Sequence, residues 1–369
     1  MKLLKIRNQD FLIPLAAVSG IVEKRHTLPI LANVLLERKA GKILLTSTDL
    51  EIQISTSCAA DGAEGEDASV TVSARKLQDI LRALPEVSEA TLEVQGNRMV
   101  VKADKSRFNL QTLPAADFPV MAESGSRLAH VSLPQRQLRE LLQLVHYAMA
   151  QQDIRYYLNG LLLVLDSDEL RVVTTDGHRL SHASGKISLQ EEKREVILPR
   201  KAVQELVKLI RDSDEEMAIE LFPSQARFAF GEIELVTKII DGKFPDYGRV
   251  IPTNYRKEIS LDRATLQQAL QRAAILSNDK VRGVRWLLTA NSLKISCTNN
   301  EQEEAHEEME VNYAGEALDI GFNVNYLLDV LANMPGETVT CSFGEASSSM
   351  LVTVPSRPDF KYVVMPMRI

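Results

Sequence analysis

Cysteine is scarce in this chain: Cys58, Cys297 and Cys341 are the only three among 369 residues. The number is odd and the spacings match no metal-ligand or redox motif, which argues against a disulfide framework, a zinc site or a thiol-redox centre. Three free, mostly buried thiols suit a reducing cytoplasm. Long apolar runs are missing too, and nothing approaches the ~18 consecutive apolar residues of a membrane span. Lys2, Lys5 and Arg7 before the apolar stretch from Phe11 to Val18 imitate a secretory leader, but Asp10 and Pro14 interrupt it and the same kind of segment recurs twice later. Positive charge is in deficit: 43 basic against 50 acidic side chains leave a net −7. Bulk electrostatic attraction to nucleic acid is therefore disfavoured, and any DNA contact must use a local basic surface or topology. Catalytic signatures are absent as well, with no Walker loop, HExxH, G-x-S-x-G or Cys/His cluster.

What is present is repetition, with a period of roughly 125 residues. Leu77, Ile80, Leu81 and Leu84 stand at i, i+3, i+4 and i+7 behind Ser73 in the N-cap position, the stripe of an amphipathic helix. Val203, Leu206, Val207 and Ile210 repeat that stripe after Pro199, and Leu327, Val330, Leu331 and Met334 repeat it behind Asn323. An earlier helix precedes each: Leu138, Leu141, Leu142 and Val145 match Leu266, Ala269, Leu270 and Ala273. The first copy, Phe11, Leu15 and Val18, is weaker because it contains Pro14, expected near the first turn, where proline is tolerated.

Strand-like runs lie between the helices, as in Val34 to Leu36 with Ile43 to Leu45, and Leu161 to Leu165 with Leu170 to Val173. The second run of each pair leads into Thr48-Asp49, Thr175-Asp176 or Thr298-Asn299, while Phe118-Pro119 and Phe244-Pro245 close the first two copies. Hairpin-linked strands with two helices per copy and no βαβ alternation predict an α+β fold of three repeated domains, residues 1–126, 127–253 and 254–369.

Thr175-Asp176-Gly177-His178 offers a carboxylate beside an imidazole, the one feature that favours an alternative reading as a nucleic-acid-processing enzyme using Asp176 and His178. No nucleophile, metal set or cofactor loop accompanies them. The aligned Thr48-Asp49-Leu50 and Thr298-Asn299-Asn300 lack the histidine, so the motif reads as strand-end structure.

Five segments together carry a family likeness: Thr27-Leu28-Pro29-Ile30-Leu31, Gln152-Asp153-Ile154-Arg155-Tyr156-Tyr157-Leu158-Asn159-Gly160, Thr175-Asp176-Gly177-His178-Arg179-Leu180, Lys243-Phe244-Pro245-Asp246-Tyr247 and Tyr362-Val363-Val364-Met365-Pro366-Met367-Arg368. They fall in all three repeats, and the chain resembles the bacterial beta sliding clamps, the beta subunits of DNA polymerase III. The resemblance implies three clamp domains per protomer and a head-to-tail homodimer forming a six-domain ring around duplex DNA. It implies a cytoplasmic processivity subunit without catalysis, cofactor, metal or membrane contact. Polymerases, the clamp loader and repair proteins would dock through short peptide motifs.

By the same resemblance, DNA contact falls to Arg25, Arg75, Gln152, Tyr156 and Tyr157. The peptide pocket falls to Leu158, Thr175, Gly177, His178, Arg179, Leu180, Pro245, Arg249, Val250, Val281, Asn323, Tyr326, Ser349, Val363, Met365, Pro366, Met367 and Arg368. The dimer interface falls to Arg107, Phe108, Ile275, Leu276, Glu301 and Glu304. Two departures stand out. Ile369 ends the chain where the family has leucine, and Gly248 replaces a commonly basic position.

The helices proposed to line the ring, with their flanks, carry Arg75, Lys76, Arg82, Arg136, Arg139, Arg200, Lys201, Lys208, Arg211, Arg263 and Arg272 besides Arg25, more cations than acids, which predicts a modestly basic lining within an acidic protein.

Overall fold

The computed structural model describes residues 2–23, 28–39, 41–59, 67–122, 124–278 and 281–368. One element order is written three times. The first copy runs β1 (Lys2–Arg7), α1 (Asn8–Ser19), β2 (Asn33–Lys39), β3 (Lys42–Thr48), β4 (Ile52–Ala59), β5 (Ala68–Ser73), α2 (Ala74–Ala83), β6 (Glu89–Gln95), β7 (Arg98–Ala103) and β8 (Ser106–Leu113). The second runs β9 (Ala129–Pro134), α3 (Gln135–Val145), β10 (Gly160–Asp166), β11 (Glu169–Thr175), β12 (Arg179–Lys186), β13 (Arg194–Pro199), α4 (Arg200–Leu209), β14 (Glu216–Leu221), β15 (Gln225–Phe230) and β16 (Ile233–Lys238). The third runs β17 (Lys257–Asp262), α5 (Arg263–Ala274), β18 (Gly283–Thr289), β19 (Ser292–Thr298), β20 (Glu304–Glu310), β21 (Leu318–Asn323), α6 (Val324–Asn333), β22 (Thr338–Phe343), β23 (Met350–Val354) and β24 (Arg357–Val364).

Two compact units hold these elements, Met1–Arg136 with Leu189–Glu192 and Lys201–Ile239, and Gln137–Ser188 with Lys193–Arg200 and Ile240–Ile369. The first contains one antiparallel sheet in the order β1-β6-β7-β8-β5-β2-β3-β4-β16-β15-β14-β9. Copies one and two meet in it where β4 pairs with β16, Gln53 opposite Val236. The second contains an eight-stranded sheet, β13-β10-β11-β12-β24-β23-β22-β17, and a four-stranded one, β20-β19-β18-β21. Copies two and three meet where β12 pairs with β24, Leu180 opposite Val363.

The helices form for the reasons their residues supply. Ser73 accepts from Lys76 N at 3.4 Å and Asn323 accepts from Asn325 N at 2.9 Å, so both expected N-caps are in place. The apolar stripes face inward, with Leu77 and Leu81 on α2, Val203 and Leu206 on α4, and Leu327, Val330 and Leu331 on α6 all buried. Each such side chain contributes about 1.5–3 kcal/mol by leaving water. Pro14 differs from expectation: α1 begins at Asn8, which puts the proline in its interior. It withholds the N–H that would bond the Asp10 carbonyl, and the fully buried Phe11, Leu15 and Val18 hold the helix regardless.

Candidate functional site

The second unit carries a cleft of about 450 Å³. Its floor is Leu180 and Val363, buried with Leu162, Val173 and Phe244 in one apolar cluster. Leu158, Thr175, Gly177, His178, Arg179, Pro245, Arg249, Val250, Ser349 and Met365 complete the predicted walls. Met365 is 48% and Val250 44% exposed, large apolar groups at the mouth with nothing over them. Arg249 turns outward to Asp246, 3.0 Å away. A largely apolar trough of this size with a few polar groups at its rim has the character of a ligand-binding cleft.

Six predicted residues stand outside the wall. Asn323 caps α6, and the Tyr326 ring lies under Arg179, 4.4 Å from its guanidinium carbon. Met367 N donates to Gly321 O at 2.9 Å, carrying the terminal segment, with half-buried Pro366 and exposed Arg368, away toward β21. Val281 is exposed, and its N–H bonds Asn278 Oδ1. Two lining residues are additions to the expected pocket: Arg155, and Tyr157, which the resemblance assigns to DNA. Gly177, at φ +89°, leaves room for Arg155; a Cβ there would lie 2.9 Å from its Nη2. The signal was the arginine directly before Tyr156-Tyr157.

Asp176 is a turn-former. Its Oδ1 accepts from His178 N at 2.9 Å and Arg179 N at 3.0 Å, and Thr175 Oγ1 donates to Arg179 O at 2.6 Å. In the first copy Asp49 Oδ1 accepts from Glu51 N and Ile52 N and Thr48 Oγ1 donates to Ile52 O, the same turn without a histidine. His178 is exposed, and no proton-relay contact joins it to Asp176 among the described residues. The carboxylate's remaining oxygen pairs with Arg179 Nε at 3.0 Å.

Arg179 is the polar centre beneath the cleft. Its side chain is 9% exposed. Nη1 donates to Asp329 Oδ2 at 2.6 Å and Nη2 to Tyr147 O at 2.8 Å. Burial alone would lower its pKa; interaction with Tyr362 and the bond to Asp329 raise it above the ordinary value.

The other candidates occupy separate surfaces. Gln152, at φ +57°, opens a loop closed by paired bonds between Asn159 and Asp153, each 2.9 Å. Its outward groups are Ile154, 95% exposed, and Tyr156, 57% exposed. Hydrogen bonds from Arg155 hold the Asp153 carboxyl down at about 2. Arg75 stands exposed on α2 with Lys76 and Arg82, none of them in an ion pair among the described residues. By contrast Arg136 pairs with Asp212, Lys201 with Asp49, Lys208 with Glu205 and Arg272 with Glu307. Arg211 is exposed without an ion pair among the described residues, and Arg200 and Arg263 donate to backbone carbonyls; among the described helices α2 carries three exposed cations without an ion pair. Arg25, the Thr27 end of its motif and Ile369 lie outside the described residues.

Arg107 and half-buried Phe108 lie on β8, whose edge over Ser106–Gln111 has no strand partner opposite β7 among the described residues. Ile275, 77% exposed, and Leu276 follow α5. Glu301 and Glu304 are exposed, Glu304 on the edge strand β20 beside His306 at 3.1 Å.

Among the described residues no cluster of His, Cys, Asp and Glu could hold a metal, and no helix is long and apolar enough to cross a membrane.

Three family profiles match in turn: DNA polymerase III beta subunit N-terminal domain at residues 1–122, central domain at 132–246 and C-terminal domain at 248–368. The beta sliding clamp of Pseudomonas putida is 45% identical over 365 residues, 99% of each chain. A crystal structure of the Pseudomonas aeruginosa sliding clamp with ligand superposes with a TM-score of 0.95 at 44% identity over 100% of both chains. A second from that organism, bound to griselimycin, has a TM-score of 0.95 at 45% identity over 99% of both.

Proposed function

The chain belongs to the DNA polymerase III beta-subunit family, the bacterial sliding clamps, and from that premise we propose how it acts: two protomers close head to tail around duplex DNA, and the cleft docks partner peptides. Its function is that of a DNA sliding clamp, a processivity factor with no chemistry of its own. The domains are the repeats, with boundaries near residues 126 and 253, and the setting is the cytoplasm.

The observation that carries the ring is a strand junction left over. Copy one joins copy two through β4 and β16, copy two joins copy three through β12 and β24, and the remaining members of the series are β20 and β8. In the hairpins Gln53, Leu180 and Glu304 are equivalent, each facing the threonine that ends the preceding strand. Carrying the Gln53–Val236 register over sets Glu304 against Asn109, Ala305 against Phe108 and His306 against Arg107 of a second copy. The small Ala305 beside Phe108 mirrors the buried Ile54–Leu235 pair. Pairing both edges of both protomers closes the ring and leaves neither edge open.

A ring needs no tight grip. Weak phosphate contacts from Arg25, Arg75, Lys76 and Arg82, with Gln152, Tyr156 and Tyr157 meeting bases or sugars, let it slide, which reconciles DNA contact with a net charge of −7. Polymerases, clamp loader and repair proteins compete for the cleft through short apolar segments.

The test is retention. The protein loaded on nicked circular DNA should stay through gel filtration in high salt and leave once the circle is cut; equal loss from both forms overturns the topological reading. For the cleft, a fluorescein-labelled pentapeptide with two leucines and a terminal phenylalanine should bind and be displaced by griselimycin.

A further inference from the structure

We infer that Asp329, which lies outside the cleft, positions its walls through Arg179 and thereby sets the affinity for apolar peptides; this rests on the docking reading above. Asp329 stands on α6 of the third copy and Arg179 on β12 of the second, so the 2.6 Å bond between them ties two copies together under the cleft. From Arg179 the path is continuous. Its Nε holds the second oxygen of Asp176, whose first oxygen fixes the N–H groups of His178 and Arg179. The carbonyl of His178 then accepts from Met365 N at 2.9 Å. One guanidinium therefore sets both the Gly177–His178 wall and the Met365 wall.

The geometry leaves Arg179 little freedom. Its three donor nitrogens have separate acceptors, and the Tyr326 and Tyr147 rings lie 4.4 Å and 5.8 Å from its central carbon. Without the Asp329 carboxylate a mostly buried cation loses one of its two counter-charges, and leaving such a donor unmet is costly. Arg179 then swings toward solvent or Asp176 breaks its turn. Either way the walls are no longer pre-formed, and ordering them falls on the peptide.

The experiment uses the full-length dimer and the labelled pentapeptide. Asp329→Asn keeps size and removes charge; it should weaken binding roughly tenfold while circular dichroism and dimer mass stay unchanged. Asp329→Glu should recover most of that loss. In an Arg179→Met background Asp329→Asn should add nothing, because the residue acts only through the arginine. Wild-type affinity in the Asn variant, or its full effect persisting beside Arg179→Met, overturns the inference while the docking reading stands. Failure of the unmodified protein to bind the peptide overturns both.

Discussion

Gln53 and Leu180 hold the same strand position in successive copies, one facing Val236 and the other Val363. The apolar residue floors an open cleft. The amide does the reverse: Gln53 Oε1 accepts from Met121 N at 2.9 Å and Gln225 Nε2 donates to Ala122 O at 3.0 Å, drawing the following linker over the equivalent groove. About 170 Å³ remains there against about 450 Å³ in the cleft. Both glutamines are buried, and a buried amide needs its partners, so this junction is strapped shut by its own chain.

Replacing Gln53 with Leu should release that strap. Losing the acceptor for Met121 N should cost about 1–2 kcal/mol and speed hydrogen exchange at Met121, with peptide affinity at the cleft unchanged. Unaltered exchange there would show that the linker is held otherwise.

The unpaired cations of α2 should dominate the DNA contact of the described helices. Arg75→Ala, Lys76→Ala and Arg82→Ala together should lower DNA affinity at 50 mM salt and flatten the salt dependence by roughly 0.9 for each phosphate no longer neutralised, without dissociating the dimer. Lys208→Ala, whose charge Glu205 already answers, should do little. Equal salt slopes for the two variants would sink this assignment.

At the proposed protomer junction Arg107 faces His306 with Glu304 and Glu308 diagonal to it. Arg107→Glu should weaken dimerisation roughly three- to tenfold, and Glu304→Arg in the same chain should restore part of it, since exposed pairs contribute only about 0–1 kcal/mol each while Phe108, Ile275 and Leu276 carry the rest. Sedimentation giving identical dimer constants for the single and double variants would refute the pairing.

Ending the chain at Val364 removes the Met365 wall and the strip bonded to β21, but no residue of β24. Peptide binding should vanish while the protomer melts within a few degrees of normal. Unchanged affinity in a titration would place the peptide elsewhere.

Cys58 should behave as an inert thiol. Burial, aided by nearby Asp10, pushes it up to about 11 from an ordinary 9.0, and burial pushes Cys341 up to about 12. The folded state resists losing these protons, so the unfolded chain binds fewer of them above pH 9. Stability should therefore fall from pH 9 toward 11. Alkylation at pH 7.5 should be slow at half-buried Cys58 and reach three thiols per chain only on unfolding; rapid labelling of Cys58 would contradict its raised pKa.

The apolar helix stripes and the caps Ser73 and Asn323 were legible in the sequence, because they depend on spacings within a dozen residues, and the threefold repeat was legible because those local patterns recur roughly every 125 residues. So was the turn at Thr175-Asp176, since its copies at Thr48-Asp49 and Thr298-Asn299 showed which residues were structural. Pro14 was misplaced, because nothing local marked Asn8 as a helix start: the residue holds that place by donating from its side chain to the Leu81 carbonyl at 2.8 Å, far along the chain.

The pocket was legible in part for the same reason. Residue type and motif identified an apolar docking strip, but not that Asn323 caps α6, that the Tyr326 ring packs under Arg179 or that Arg155 lines the cleft. By itself the sequence determined the repeated unit, its α+β character and the family. Only the tertiary structure decided that Gln53 closes one junction while Leu180 opens the next, and that the Arg179 charge is answered by Asp176 and Asp329. Periodicity reports each segment's inward face, whereas these outcomes depend on which distant strand supplies the facing residue.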